Sequence, residues 1–425
     1  MTDYDIIIAG GGSSGIMACI AAIKHGKRVL LVEKMPQLCL KLRISGKGRG
    51  NISNTADIKT FMQHTGSEPR FLYPSFNTFF TKDLRLLLSN LGLETKEERG
   101  GRIFPISEKA QDVFLTLVKH IETSPYCTII KNHKLQSVIY QDDMIVGVRL
   151  LKGNKDEKPI EYRSNAVVLA LGGLSYPQTG SCGDWIEIMK SLNINIVEPV
   201  PALVGLCCDN AAFEHHFTEP FLIKNAAVIA FDANERKLYE IQGEIEFRSF
   251  GVSGAAVLTL SRQIARKIAA NESITITIDL KPSVEQKKID EELRQAFHMR
   301  GKEQIQSVLR QFLPAVLVSF FLDFSGIKGH KRAADITSDE RKSIIKFIKS
   351  LKLNVVGTEG WHRAVITQGG ISLREVNPKT LQIKSKKGLY VCGEMLDLDA
   401  DTGGYNLQIA FSTGYLAGQS AASQI

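Results

Sequence analysis

The chain opens with apolar runs and helical periodicity in the order that is typical of a βαβ unit. The run Tyr4–Ala9 predicts a buried parallel strand, and the apolar spacing over Ser13–His25 predicts a helix that Gly26 ends. Arg28–Val32 predicts the next strand, with Glu33 at its carboxyl end. This order predicts an α/β domain.

A Gly-, Lys-, Ser- and Asn-rich stretch over 35–55 shows little periodicity, and so long a loop in a compact domain usually has a function. The elements predicted after it are helices over 71–91 and 107–121, hairpins at 100–101 and 153–158, and strands over 127–131, 135–140, 144–151 and 167–171.

The character of the sequence changes at about residue 198. Short strand patterns with Gly and Pro continue to about 250 and predict a β-rich insertion. They are followed by a predicted helix over 253–270, a strand over 274–280, a Lys- and Arg-rich helical region over 283–351, and strands over 353–356, 363–367 and 389–392. A Gly-rich loop and a helix of small residues complete the pattern.

Composition narrows the class of protein. A chain of 425 residues is too long for one ordinary core, and 44% hydrophobic with 23% charged residues is typical of soluble globular proteins. The longest uncharged apolar run, Phe312–Leu322, is too short to cross a bilayer, and the acidic start lacks the basic segment of a secretory signal. Seven cysteines without a CxxC pair fit a reducing compartment, so we predict a cytoplasmic protein.

The first chemical motif is GGGSSG at 10–15, a G-x-G-x-x-G sequence between strand and helix. Its glycines make a tight turn, let the backbone approach a pyrophosphate and permit close helix–strand packing. The helix N-terminus offers N–H donors to phosphates, and Glu33, 18 residues beyond Gly15, can accept hydrogen bonds from a ribose. These features predict a dinucleotide site, which could hold NAD or FAD.

Two further segments bear on the choice between NAD and FAD. LALGG at 169–173 ends a strand in glycines that let the chain pass close to a flat ligand, although a plain turn fits equally well. LYVCGE at 389–394 precedes GGYNLQ at 403–408, which opens the last helix. The acid can bind ribityl hydroxyls, and the helix N-terminus can stabilise negative charge at the pyrimidine edge of a reduced flavin.

Four segments of the chain resemble segments of a known protein family. Residues 41–54 (KLRISGKGRGNISN) are similar to the K-x-S-G-G-G-R-C-N-x-T-N segment of a bacterial FAD-binding family, the YhiN-type and BaiN-like flavoproteins, which includes an aminoacetone oxidase. Residues 243–254, 365–371 and 388–418 resemble other segments of that family, so the resemblance extends from the N-terminus to the last helix.

The resemblance implies an α/β fold in which a glutathione-reductase-like Rossmann FAD-binding domain is interrupted by a β-barrel-like domain and a small helical domain. We expect the FAD-binding domain to cover 1–197 and 357–425. The β-rich domain then covers 198–280, to which 353–356 can be added, and the helical domain covers 281–352.

The resemblance also implies which residues hold FAD. On the adenosine side, the pyrophosphate is expected to contact Gly10, Gly12, Ser13 and Gly15, the adenosine ribose to contact Glu33 and Lys34, and adenine to contact the backbone of Leu135. Phosphate or ribityl oxygens are expected to contact Lys41 and Ser45, and the flavin to contact Arg49, Gly50 and Asn51. The chain is expected to pass close to the flat ligand at Gly172 and Gly173, and the ribityl chain and pyrimidine edge are expected to contact Glu394, Gly404, Tyr405, Asn406 and Leu407.

Two departures from the family pattern matter. Members often carry cysteine where this chain has Gly50 and Thr402, so a shared thiol at the flavin cannot be the mechanism in this chain. Lys47 replaces a glycine and adds either a cation near the ring or a solvated side chain, of which we favour the second.

The sequence leaves the catalytic residues open. His362, Tyr176 and Tyr405 could take part in proton transfer, but structural roles explain them at least as well. The pair His215 and His216 lacks the spacing of further metal ligands, so we expect no metal.

The favoured function is an FAD-dependent oxidoreductase that exchanges hydride between flavin N5 and a small organic substrate. NAD(P)H is the expected electron donor, bound transiently because no second G-x-G-x-x-G occurs. An amine or aminoketone oxidase that uses O2 is the alternative. A flavin-containing RNA-binding or RNA-modifying protein comes third, because the basic helices around 328–352 carry few aromatic residues for base stacking. The oligomeric state stays open.

Overall fold

A computed structural model describes residues 3–66, 68–153, 158–209 and 212–424 of the chain. It divides into two compact units. Unit 1 comprises Met1–Pro201 and Val365–Ile425, and unit 2 comprises Ala202–Ala364. The three-part division that the sequence predicts stays a prediction.

The strands of the described residues are numbered in chain order. They are β1 (Ile6–Ala9), β2 (Val29–Val32), β3 (Ser53–Asn54), β4 (Thr95–Glu98), β5 (Arg102–Pro105), β6 (Cys127–Ile130), β7 (His133–Gln141), β8 (Met144–Lys152), β9 (Ile160–Arg163), β10 (Ala166–Leu169), β11 (Ile196–Ala202), β12 (Leu206–Cys208), β13 (Phe221–Phe231), β14 (Lys237–Arg248), β15 (Gly251–Ser253), β16 (Ile274–Asp279), β17 (Leu351–Thr358), β18 (Ile366–Ile371) and β19 (Leu389–Val391).

The helices follow the same order. They are α1 (Ser13–Lys24), α2 (Leu40–Arg43), α3 (Ile58–Gln63), α4 (Tyr73–Thr78), α5 (Thr81–Asn90), α6 (Ala110–Glu122), α7 (Trp185–Ser191), α8 (Ala212–His216), α9 (Ala255–Ala269), α10 (Gln286–Met299), α11 (Ile305–Leu309), α12 (Ala315–Ser325), α13 (Ser338–Ser350) and α14 (Tyr405–Ser423). None of these helices has the combination of length and apolarity that crossing a membrane requires.

Unit 1 is built on a five-stranded parallel sheet in the order β19-β10-β1-β2-β6. In the central strand β1, Ile8 lies opposite Val168 of β10 and Leu31 of β2. All three side chains are fully buried, which explains why these strands are continuously apolar rather than alternating. The carboxyl ends of the strands meet at one edge, where open α/β sheets bind their ligands.

Helices α1 and α14 pack against each other through small residues. A Cβ at Gly414 would come within 2.1 Å of the Ser14 carbonyl oxygen, so only glycine permits this approach. Gly418 meets Ala18 in the same way. The tail of the chain is thereby joined to the helix that follows the first glycine turn.

Smaller sheets complete unit 1. They are β3-β5-β4, β7-β8-β9 and the pair β11-β18. The hairpin predicted at 100–101 is the connection between β4 and β5. Residues 154–157 of the other predicted hairpin lie outside the described residues.

Unit 2 contains a closed barrel in the order β12-β15-β14-β13-β16-β17. The barrel strands and the helices α8 to α13 share one hydrophobic core. Phe320 of α12 lies edge-on to Phe213 and Phe217, at ring-centroid distances of 5.2 and 5.1 Å. The predicted fold class, a Rossmann domain with a β-barrel and helices, is confirmed.

The single helix predicted over 71–91 is wrong in one respect, because the structure has α4 and α5 with a break between them. Phe79 and Phe80 have extended backbones, with φ of −153° and −130°. The Phe80 N–H donates to Asp83 Oδ2 at 2.8 Å, so a new helix starts there. Apolar periodicity continues across this break and conceals it.

Candidate active site

The G-x-G-x-x-G turn lies between β1 and α1 at the carboxyl edge of the sheet. Gly10 has a φ of +106°, and a Cβ on Gly15 would come within 1.8 Å of the Gly10 carbonyl oxygen. A Cβ on Gly12 would meet no atom within 4 Å, so open space faces the start of α1. Ser13 begins that helix, whose first N–H groups lack intrahelical partners. This turn has the space and the donors for a pyrophosphate.

Glu33 lies directly after β2, beside the glycine turn. Its Oε2 accepts a hydrogen bond from the Gly11 N–H at 2.7 Å, and its Oε1 accepts one from the Met35 N–H at 2.8 Å. Burial raises the pKa of Glu33 above its ordinary value, although these backbone donors act in the opposite direction. The carboxyl group is therefore held in one orientation at the place where a ribose is expected.

Lys34 and Leu135 lie close to Glu33 in the fold. Strand β7 begins beside the end of β2, where the His133 N–H donates to the Glu33 carbonyl oxygen at 3.1 Å. Leu135, in β7, is buried. Lys34 forms an ion pair with Asp184. The structure therefore brings the three residues expected around adenosine to one end of the sheet edge.

Asp184 was missed by the sequence reasoning. It pairs with Lys34 and also with Lys134 Nζ at 2.8 Å. Burial opposes its ionisation, but the two ammonium groups prevail and lower the pKa of Asp184. Its carboxylate fixes the position of Lys34, and no short motif signals that role.

The segment 41–51 includes α2 and a 3-10 turn over Ser45–Gly48. Ser45 Oγ is buried and has no hydrogen-bond partner among the described residues. Asn51 carries its amide so that Nδ2 donates to the Ser53 carbonyl oxygen and Oδ1 accepts from the Gly404 N–H, both at 3.1 Å. Asn51 thus joins this segment, which also contains Gly50, to the tail loop. Lys47 is exposed.

Arg49 has partners within the protein. Its Nε lies 2.9 Å from Glu108 Oε2, it also pairs with Glu98, and its guanidinium lies 4.4 Å from the centre of the Phe104 ring. Arg49 and Lys96 lower the pKa of Glu108 to about 2. The expected contact of Arg49 with the flavin stays a prediction.

Lys41, Ser175 and Glu394 form a connected polar group at this edge. Lys41 Nζ lies 2.6 Å from Glu394 Oε2 and 2.5 Å from Ser175 Oγ. Glu394 Oε1 accepts from Ser175 Oγ and from the Thr367 N–H, each at 2.7 Å. Gly172 and Gly173 lead into this group, and a Cβ on Gly173 would come within 2.2 Å of Thr367 Oγ1.

The tail loop leads into α14 at Gly404. Asn406 Nδ2 donates to the Ala400 carbonyl oxygen at 2.8 Å, and its Oδ1 accepts from the Ala400 N–H at 2.9 Å, so this side chain holds the loop. Tyr405 is buried, with its ring stacked on His64 at 4.5 Å. Leu407 is half-buried against the core of unit 1.

Buried polar residues behind this loop were also missed. Gln408 is fully buried; its Oε1 accepts from Ser53 Oγ at 2.7 Å, and its Nε2 donates to Ser412 Oγ at 2.9 Å. His64 Nδ1 lies 3.0 Å from Asp401 Oδ2. Ser53 and Gln408 each lie in a motif that the sequence shows, but nothing in the sequence connects two positions that are 355 residues apart.

Tyr176 and His362 are the other candidates for proton transfer. Tyr176 lies just after Ser175 with a φ of +51°, and it precedes a 3-10 turn. His362 is exposed in unit 2. The structure assigns a catalytic role to neither residue.

The residues at the sheet edge fit FAD. The open space at Gly12 suits a pyrophosphate, Glu33 suits a ribose, and the unpartnered Ser45 Oγ suits a polar ligand atom. The start of α14 provides a second helix N-terminus at the other end of the edge. Together these features define the class of the FAD-dependent oxidoreductases, and the class predicted from the sequence is confirmed.

The family follows from comparison with known proteins. The chain belongs to the HI0933-like protein family, whose Rossmann domain matches residues 4–420. The predicted resemblance is therefore confirmed.

Full-length relatives carry two kinds of name. The chain is 29% identical to the 3-dehydro-bile acid delta(4,6)-reductase of Clostridium scindens, over 98% of each chain. It is 26% identical to the ribosomal RNA dihydrouridine synthase of Haemophilus influenzae, over 100% of each chain. For the protein of the same name from Escherichia coli the identity is 25%, over 99% of this chain and 98% of that one.

Among solved structures, the fold is similar to that of 3-ketosteroid-delta4-(5alpha)-dehydrogenase from Rhodococcus jostii RHA1. The TM-score is 0.54 at 15% identity, over 99% of this chain and 98% of that chain. This likeness supports the fold alone.

Proposed function

We propose that the protein is an FAD-dependent reductase that saturates a carbon–carbon double bond conjugated to a carbonyl group in a small organic molecule, with NAD(P)H as the electron donor. The observation that carries the proposal is the series of sites along one sheet edge: Glu33, the open turn at Gly12, the Lys41–Glu394 group and the N-terminus of α14. An extended dinucleotide spans such an edge.

The relatives' names support the reaction class. A delta(4,6)-reductase of a 3-dehydro bile acid and a dihydrouridine synthase both saturate a ring double bond that is conjugated to a carbonyl group. The substrates differ greatly in size, but both contain a carbon–carbon double bond conjugated to a carbonyl group.

The residues of this chain would divide the work along the edge. The first turn of α1 would bind the pyrophosphate, and Glu33 would accept hydrogen bonds from the adenosine ribose. Bound FAD supplies hydride exchange at its N5 atom. The N–H groups at the start of α14 would stabilise negative charge at the pyrimidine edge. Unit 1 holds the cofactor, and NAD(P)H binds transiently.

The test separates the two half-reactions, and every step is anaerobic except the one in which O2 is added as the oxidant. We expect NADH or NADPH to bleach the yellow protein, and we expect a 3-oxo-4,6-diene bile acid to restore the colour. O2 should restore it more slowly. Reduction by aminoacetone together with reoxidation by O2 alone would contradict the reductase and favour the amine oxidase.

Ribosomal RNA is the second candidate substrate, because two full-length relatives are named for its modification. The formal net charge of +8 is compatible with a polyanion. If this candidate is right, the reduced protein should be reoxidised by a uridine-containing ribosomal RNA fragment, and binding should weaken steeply with salt. Absence of binding at every salt concentration would rule out ribosomal RNA as the substrate.

A further inference from the structure

The Lys41–Ser175–Glu394 group deepens the proposed function, on which the following inference rests. Glu394 is expected to accept hydrogen bonds from ribityl hydroxyls, and both of its oxygens also accept hydrogen bonds within the protein. Oε2 is bonded to Lys41, and Oε1 is bonded to Ser175 and to the Thr367 backbone. The carboxylate is therefore also the partner of a cation.

Lys41 has a donor to spare. An ammonium group carries three N–H donors, and among the residues that the structure describes Lys41 uses two of them, for Glu394 and Ser175. Its side chain is 29% exposed, so the third donor can reach a ligand. Because Ser175 is fully buried and Glu394 is bonded to backbone, the ammonium is held in one place rather than moving on a flexible stem.

The location of this group on the sheet edge decides which part of the cofactor it faces. Ser175 follows β10 and Glu394 follows β19, whereas Glu33 follows β2 on the other side of β1. A dinucleotide with its adenosine ribose at Glu33 and its pyrophosphate at α1 would extend toward β10 and β19. The Lys41 group therefore lies on the flavin side.

We infer that Lys41 and Glu394 act as an opposed pair of charges that sets the reduction potential of the flavin, with Lys41 as the group that contacts the cofactor and Glu394 as its positioning residue. Reduction adds electrons to the ring and increases its negative charge. A nearby cation favours this change and a nearby carboxylate opposes it. Ser175 bonds to both partners and fixes the distance between them.

The test measures the midpoint potential of the FAD-loaded protein and the dissociation constant of FAD for wild type, Lys41→Met and Glu394→Gln. Lys41→Met leaves the carboxylate without its cation, so we expect the potential to fall. Glu394→Gln leaves the cation without its carboxylate, so we expect the potential to rise. A tenfold change in the ratio of reduced to oxidised cofactor corresponds to about 30 mV for a two-electron couple, and we expect a shift of that order in each direction.

Two controls keep the result interpretable. Lys41→Arg retains the charge and should stay near the wild-type potential. The exposed pair Lys190 and Glu187 on α7 is a matched ion pair at 2.9 Å, and Lys190→Met and Glu187→Gln should leave the potential unchanged. If Lys41→Met fails to fold, as checked by circular dichroism, the comparison of Glu394→Gln with Lys41→Arg still tests whether loss of the carboxylate raises the potential.

A purely structural role would move both main variants in the same direction or change only the FAD affinity. Either result would overturn the inference while leaving the FAD-dependent reductase intact. Opposite shifts would support it, and because Lys41 contacts the cofactor, the FAD affinity of Lys41→Met is then also expected to fall. Failure of the wild-type protein to bind FAD would instead refute the proposed function and, with it, this inference.

Discussion

The two units bury different kinds of side chain. Unit 1 has buried polar residues at several places, among them Ser53, Ser175, Thr367 and Gln408. Among the described residues of unit 2 the buried polar side chains are Ser261 and Arg262, and its core is otherwise hydrocarbon, with Phe320 at the centre of an aromatic cluster. Buried polar groups are costly unless they are paired, so a fold keeps them where a geometry must be specified. Unit 1 buries more of these polar side chains than unit 2, which fits the location of the candidate site in unit 1.

The largest effect on stability should come from the aromatic cluster of unit 2. Phe320→Ala removes a fully buried ring and should reduce the free energy of unfolding of unit 2 by about 3–5 kcal/mol, because the cavity cannot close completely. Denaturant unfolding followed by circular dichroism measures this loss. Phe320→Leu, which retains most of the volume, should cost much less, and a loss below ~1 kcal/mol for the alanine variant would contradict the packing argument.

A smaller loss should follow from the polar network of unit 1. Gln408→Leu has a similar volume but removes the acceptor of Ser53 and the donor to Ser412, which should cost about 1–3 kcal/mol. The same unfolding measurement applies. Full stability in this variant would mean that the network does not specify the fold of the tail.

The smallest effect concerns the surface ion pairs of Glu108. Because Arg49 and Lys96 lower the pKa of Glu108 to about 2, its carboxylate contributes stability above the ordinary value of 4.5. That contribution is lost as the pH falls from there toward 2. Glu108→Gln should therefore melt slightly below wild type at pH 7, and the two melting curves should converge in acid.

The exposed Glu122, 3.7 Å from Lys131, supplies the control for this measurement. Glu122→Gln should show a smaller gap at pH 7. A gap for Glu108→Gln that persists unchanged down to about pH 2 would mean that the ion pairs do not cause it.

Local sequence patterns were sufficient to predict elements that follow one another closely in the chain. The strand, glycine turn, helix and second strand at the start were predictable because a G-x-G-x-x-G sequence and apolar runs restrict the backbone strongly. Glu33 could be placed for the same reason. The break at Phe80 and the role of Asp184 were not predictable, because a cap and a distant ion pair leave no periodic signal.

Contacts between segments that are distant in the sequence could be identified only from the structure. The bonds of Lys41 to Ser175 and Glu394 join residues that are 134 and 353 positions apart. No spacing rule connects such positions, and one sequence gives no covariation. The resemblance implied a β-barrel-like domain, but the pairing of β12 with β17 that closes the barrel could not be predicted, since these strands are separated by most of unit 2.

The most direct test of the central claim is the affinity of the protein for FAD, measured by flavin fluorescence with wild type, Gly12→Ala and Gly357→Ala. Both glycines have open space for a Cβ, so neither substitution should disturb the fold. We predict that wild type binds one FAD per chain. Gly12→Ala should bind it at least about tenfold more weakly, since a methyl group there takes the space of the pyrophosphate, and Gly357→Ala should match wild type. A wild-type protein that cannot be loaded with FAD, or equal affinity in Gly12→Ala, would contradict the account.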